Sequence, residues 1–214
     1  MSLTLPMFPL ELVLYPGESL NLHIFEPKYK DLINDTKDQN SNFGIPVFQK
    51  GKSLNYGTSA KISKIVNEYS DGRLDIKTEG IQAFRIISYQ KVVESKLYSA
   101  AEIEYIDLDK TPDISTNVKI IPLIEELYQY MNIDKEIPSA DTELFSFIIA
   151  HQIGLSINQE LELLSIESEY ERESFLHDHL LHLIPVVKEM EALRKKVEMN
   201  GHFKNIIPPE IDSY

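Results

Sequence analysis

The sequence predicts an α+β protein in which an antiparallel β-barrel or sheet over residues 1–110 precedes a helical unit over residues 111–205. Three observations carry this expectation. Short apolar segments punctuated by turn residues fill the first half. A polar, proline-containing stretch, Asp107-Leu108-Asp109-Lys110-Thr111-Pro112-Asp113, then breaks the pattern. Beyond it the apolar residues recur at helical spacing.

Leu3 to Leu10 and Ser19 to Phe25 read as strands, because Tyr15-Pro16-Gly17 between them is strong turn chemistry. From Pro27 to about Asn40 the pattern is helical: proline suits a first helical position, and Tyr29, Leu32 and Ile33 share a face. Strands are expected again at Phe43 to Gln49, Tyr56 to Tyr69, Arg73 to Glu79, Ile81 to Tyr89 and Leu97 to Tyr105. Gly51, Gly57, Asp71-Gly72 and Gly80 separate them, and Asp71-Gly72 is a hairpin signal. Many short strands at this spacing suggest a small antiparallel barrel or sandwich.

In the second half, Val118, Ile121, Leu123, Ile124, Leu127 and Met131 outline one helix. Leu144 to Ile149 outlines another, closed by Gly154. Ser156 is placed to cap a short helix through Leu164. The last helix is expected from Ser168 to Asn200, kinked at Pro185. There Val186, Met190, Leu193 and Val197 form an apolar stripe, with Glu191 and Lys195 as an i,i+4 pair. Ile207-Pro208-Pro209-Glu210 reads as an extended arm.

Composition narrows the function classes. A chain of 214 residues buries roughly 70% of its unfolded surface, so its core needs neither metal nor disulfide. It contains no cysteine, which removes zinc–thiolate sites and cysteine nucleophiles and suits a reducing compartment. The N-terminus does not read as a signal peptide, and no run approaches the roughly 18–20 apolar residues of a membrane helix. A cytoplasmic location is therefore expected. The formal charge of -13 repels phosphate backbones and anionic membranes. Arg194-Lys195-Lys196, the densest basic patch, is flanked by Glu189, Glu191 and Glu198.

Four apparent catalytic signals reduce to ordinary structure. Gly51-Lys52-Ser53 resembles the end of a phosphate loop, but Pro46 stands where that loop needs a glycine, and a hairpin is expected instead. Ser88 and Lys91 have serine–lysine enzyme spacing but lie in a strand region, where they face opposite ways. His177, Asp178, His179 and His182 lack the zinc-protease spacing and suit a polar helix face. Glu11, Glu18, Glu26, Glu68 and Glu79 include no pair that spacing selects.

The segment Leu5-Pro6-Met7-Phe8-Pro9-Leu10-Glu11-Leu12-Val13-Leu14-Tyr15-Pro16-Gly17 leads into Leu20-Asn21-Leu22-His23-Ile24-Phe25-Glu26-Pro27-Lys28-Tyr29. Phe43-Gly44-Ile45-Pro46-Val47, Tyr56 to Ile62, Gly72 to Gly80 and Gln82 to Ile86 follow, and later Leu155-Ser156 to Leu164. Together they resemble the N-terminal substrate-recognition domain of Lon proteases, especially its free-standing bacterial versions, over roughly residues 4–200. The resemblance implies a PUA-like barrel followed by helices, used to recruit unfolded or degradation-marked protein. Full Lon enzymes add an ATPase module and a serine–lysine peptidase module, and neither is expected here. No catalytic residue, cofactor or metal is carried over.

The expected function is thus a non-enzymatic binding module. Its partners would be unfolded protein or peptide segments, with a protease or chaperone as a further candidate, and neither nucleic acid nor membrane. The rival readings are an enzyme or small-ligand site in the cleft between the two halves, and RNA binding through the barrel. Phe48, Leu54 and Tyr56 are the expected peptide contacts, because Gln49 to Tyr56 reads as a loop carrying apolar groups.

Overall fold

The computed structural model describes residues 3–90 and 96–203. Among these, β1 (Leu3–Met7), β2 (Ser19–Ile24), β3 (Phe43–Gln49), β4 (Lys52–Glu68), β5 (Leu74–Gln90) and β6 (Ser99–Tyr105) come first, with α1 (Pro27–Gln39) between β2 and β3. Then follow α2 (Ile114–Met131), α3 (Phe145–Ala150), α4 (Ile157–Ser165) and α5 (Glu169–Phe203). Lys91 and the expected Ile207–Glu210 arm lie outside the described residues.

The sheet order is β2-β5-β4-β3-β1-β6, and β6 also pairs with β5, so five strands close into a barrel. Closure depends on the length of β5. Its first half pairs with β2 (Ser19↔Glu79 to Ile24↔Leu74) and its second half with β6 (Phe84↔Tyr105 to Gln90↔Ala100). One residue marks the handover. Gly80, read from sequence as a break between two strands, lies within β5 and bonds through its amide to the Glu18 carbonyl at 2.8 Å. A Cβ there would lie 2.3 Å from the Tyr15 carbonyl oxygen, so only glycine lets the β1–β2 connection approach.

The barrel is antiparallel except where β1 runs parallel to β3 (Met7↔Gly44). The intervening β2 and α1 supply the crossover that a parallel pair requires. The expected Gln49–Tyr56 loop is shorter than the sequence suggests. Gln49 pairs with Lys52, and the two-residue turn between them has φ of 51° at Lys50 and 78° at Gly51. Two positive φ values are the geometry whose twist matches a hairpin.

The helical half packs on the barrel through a shared core. Val13, Tyr15, Val47 and Ala83 from the barrel join Ile120, Ile124, Leu127, Phe145, Phe147, Leu164, Leu176 and Leu180. In α2 the buried face is Asn117, Ile120, Ile124, Leu127 and Tyr128, whereas Val118 and Met131 are exposed. The apolar pattern missed this rotation because Asn117 is polar. Its side-chain amide is buried by bonding to Glu173 at 2.7 Å and to the Ala140 carbonyl at 3.0 Å.

Ser156 caps α4 with its hydroxyl on the Gln159 amide, and Gln159 reaches back to the cap backbone. Gly154 adopts φ of 73° after α3. Pro185 leaves the Leu181 carbonyl without its helical donor, yet α5 continues as one element of 35 residues. Glu191 pairs with Arg194 at 3.4 Å rather than with Lys195.

Candidate functional site

Two concave regions outline where this fold can meet a ligand. The first, of about 550 Å³, lies where the β1–β2 connection meets α3 and is lined by Tyr15, Glu18, Lys135, Phe147, Ile148 and His151 among others. Its wall is set by stacking. The Tyr15 ring lies 4.7 Å from Phe147, and the buried Arg172 guanidinium lies 4.6 Å from the Phe147 ring. The Tyr15 hydroxyl donates to the Glu160 carbonyl at 3.2 Å. Burial, and then the charges of Glu160 and Glu18, hold that phenol well above its ordinary pKa.

His151 bridges the two halves of the molecule. Its Nδ1 lies 2.7 Å from Glu160 Oε1 in α4, and its Nε2 lies 3.2 Å from Glu18 Oε2 beside the barrel. Burial pulls its pKa down, but the bonds to Glu160 and Glu18, with their charges, outweigh this and raise it to about 9. Glu18 is correspondingly held below the usual carboxylate range. Against the upward pull of burial stand the His151 bond and the Tyr15 amide, which donates at 3.1 Å. An imidazolium with both nitrogens donating to carboxylates has no lone pair with which to take a proton. The geometry is that of a clasp across the cleft.

The second concavity, of about 430 Å³, lies between α1, the end of β3 and the start of β6. Tyr29, Phe48, Tyr89, Leu97, Tyr98 and Lys28 line it. Hydrogen bonds hold its aromatic rings. The Tyr98 hydroxyl donates to Asp35 at 2.6 Å, and the Tyr89 hydroxyl lies 2.7 Å from Ser99 Oγ. Lys96 also reaches Asp35 at 2.6 Å, and these two bonds, Lys96 first, hold that carboxylate below its ordinary range. Burial and then Asp35 push the Tyr98 phenol up to about 12. Lys28 Nζ sits 4.5 Å from the Tyr29 ring centroid while paired with Glu26 at 3.0 Å. Leu97 is 65% exposed at the rim.

Phe48, Leu54 and Tyr56 are not brought together. Phe48 pairs with Ser53 across the hairpin and so shares its face, while Leu54 and Tyr56 take the opposite one. Phe48 lines the aromatic groove. Leu54 and Tyr56 are half-buried against the core shared with the helices. Tyr29, Tyr89 and Tyr98 were not singled out in the sequence, since aromatics spread over 70 residues carry no common spacing.

The residues of the weighed motifs are engaged locally. Ser88 Oγ donates to Glu102 at 3.2 Å. His179 Nε2 lies 2.9 Å from the Ile153 carbonyl, and His182 Nδ1 lies 2.6 Å from the Asp178 carbonyl. Lys52 and Ser53 open β4 directly after the tight turn.

The fold has counterparts among known proteins. A Lon N-terminal domain protein from Xanthomonas campestris is 26% identical, with a TM-score of 0.65 over 81% of this chain and 96% of that one. The N-terminal domain of Mycobacterium avium complex Lon protease has a TM-score of 0.57 at 15% identity, covering 83% of this chain and 97% of its own, a likeness of fold alone. None of the curated proteins matches the chain. The family model of the ATP-dependent protease La (LON) substrate-binding domain matches residues 4–182, a span that takes in the barrel from Thr4 onward, α1 to α4, the first part of α5 and both concavities. On that match, this chain belongs to the LON substrate-binding domain family.

Proposed function

We propose that the chain is a non-catalytic recognition module for unfolded or degradation-marked segments of other proteins. The observation that carries this reading is the aromatic groove of Tyr29, Phe48, Tyr89 and Tyr98 on a chain of a substrate-binding family. Tyrosines supply large, rigid, amphipathic contact area at little entropic cost, which suits clients of varied sequence. The Tyr98 and Tyr89 hydroxyls are anchored to Asp35 and Ser99, which preorganises that part of the groove. The clasped His151 offers no free base, and this supports a role in holding the halves together over one in chemistry.

The module acts in the cytosol on this reading. Its lack of cysteine suits a reducing compartment, and no helix among the described residues is long and apolar enough to cross a membrane. A protease or chaperone receiving the captured client is the natural further partner. The formal charge of -13 disfavours nucleic acid.

The test is titration of a fluorescently labelled, destabilised client against wild type, Leu97→Ser and Phe48→Ser. Phe48→Ser should weaken capture about tenfold, and Leu97→Ser, at the rim, should weaken it less while leaving Tm unchanged. The wild-type preparation should turn over neither ATP nor the client. Client affinity that is indifferent to both substitutions would remove the groove from the reading.

A further inference from the structure

The barrel carries a short sheet extension with two open edges, and they are built differently. β3 leaves β4 at Ala60, so among the described residues the far half of β4, from Lys61 to Glu68, has β5 on one side only. That edge is guarded. Lys61 and Lys64 lie along it, and the register with β5 slips between Ile62 and Lys64 and again between Ile65 and Asn67. Lysines and bulges are the devices by which natural sheets refuse further strands.

β2 forms the other edge and has none of these devices. Its register with β5 is unbroken over Ser19 to Ile24, and its sequence, Ser-Leu-Asn-Leu-His-Ile, has no lysine, acid or proline. Among the described residues no strand pairs with its outer side. The phase of its bonding is given by neighbouring contacts. The Glu18 carbonyl accepts from the Gly80 amide at 2.8 Å, and the Leu20 carbonyl accepts from the Thr78 hydroxyl at 2.9 Å. Antiparallel pairs alternate, so Leu20, Leu22 and Ile24 bond inward to β5. Ser19, Asn21 and His23, all exposed, direct their amides and carbonyls outward.

We propose that the outer edge of β2 binds a client segment in extended conformation, as an added strand. Outward amide and carbonyl groups repeating every second residue are complementary to one kind of partner, an extended polypeptide backbone. Side-chain chemistry narrows the class. Leu20 and Leu22 are half-buried on the core-facing side, and Ser19, Asn21 and His23 face solvent. The fitting segment therefore alternates apolar and polar residues and has no proline, the pattern of a strand exposed only when its parent protein is unfolded. The inference rests on the reading of this chain as a client-recognition module, but not on the aromatic groove.

The probe is a hexapeptide of alternating valine and threonine, acetylated and amidated. Two counterparts are N-methylated at every second residue, one in each phase. The peptide should slow hydrogen exchange at the amides of Ser19, Asn21 and His23. One methylated phase should bind at least about tenfold more weakly, since it loses the edge-facing donors. Asn21→Pro removes an outward donor without touching the inward bonds, so it should abolish binding while Leu20 and Leu22 keep their exchange protection. Equal affinity of both methylated peptides and the parent would overturn the proposal. So would protection of the three amides that rises with protein concentration without peptide, since a second copy would then hold the edge. Phe48→Ser is titrated alongside. If client capture depends on Phe48 but the peptide ignores β2, the edge proposal fails alone. If wild type captures no client at all, the recognition reading fails separately.

Discussion

Arg172 is fully buried, and its guanidinium reaches Glu169, Ser146 Oγ and the carbonyls of Ile166, Glu167 and Asp109. One side chain thereby ties α5 to the start of α3, to the α4–α5 connection and to the stretch joining barrel and helices. Glu169 is equally buried and also accepts from the Ser146 amide at 3.0 Å. Removing one partner of such a pair leaves an uncompensated charge in the core. Arg172→Met should therefore lower stability by about 3–5 kcal/mol in urea unfolding. In the sequence Arg172 stands among the charges of a long helix, and nothing local separates it from the solvated ones.

The His151 clasp predicts a pH dependence at the same scale. Its folded pKa of about 9 lies above the ordinary 6.5, so its contribution is complete below pH 6.5 and is lost as pH rises through about 9. Glu173 acts in the same direction at lower pH. Burial, together with the neighbouring Glu169 and Asp113 charges, lifts it to about 7 against bonds from Asn117 and the Asp113 amide. Its cost to stability therefore builds as pH rises from the ordinary carboxylate value of 4.5 to about 7, where the folded carboxyl ionises, and is constant above that. Tm should fall as pH rises from about 6 to about 9.5, and His151→Gln should flatten the upper part of that fall. A wild-type Tm that climbs over this range would contradict both assignments.

Among elements, β5 shows how far local pattern carries. Its two apolar halves were legible, and so was the special character of Gly80. Whether that glycine ends a strand or lets one continue depends on Tyr15, whose carbonyl approaches from 65 positions away. Gly80→Ala should be markedly destabilising, because the contact it crowds is backbone that cannot turn aside. Thermal unfolding compared with Gly17→Ala, which meets nothing within 4 Å but has φ of 85°, would separate crowding from left-handed strain. The cap at Ser156 was readable for the opposite reason, since all its determinants lie within a few residues. The buried face of α2 was not, because its key polar residue is paid for by a partner 56 positions away.

At the scale of the whole molecule, barrel and helices are joined by the apolar core that Val13, Tyr15, Val47 and Ala83 share with the helices, by the His151 clasp, and by Arg172 through the connecting stretch. Leu54 and Tyr56 belong to that joint, being half-buried against the shared core. The double variant Leu54→Ser, Tyr56→Ser should accordingly lower Tm while leaving client affinity per folded molecule unchanged. Weakened capture at unaltered Tm would return both residues to the contact surface.

By itself the sequence determined the order and type of most elements, the family and the position of most turns. These depend on residue spacing, on glycine and proline geometry and on short motifs, all of which act over a few positions. Only the tertiary structure decided that β5 serves two partners and so closes the barrel. It also decided that Phe48 parts from Leu54 and Tyr56, and that distant tyrosines meet in one groove. Those outcomes depend on strand register, where a shift of one residue exchanges the faces, and on charges whose partners lie far along the chain.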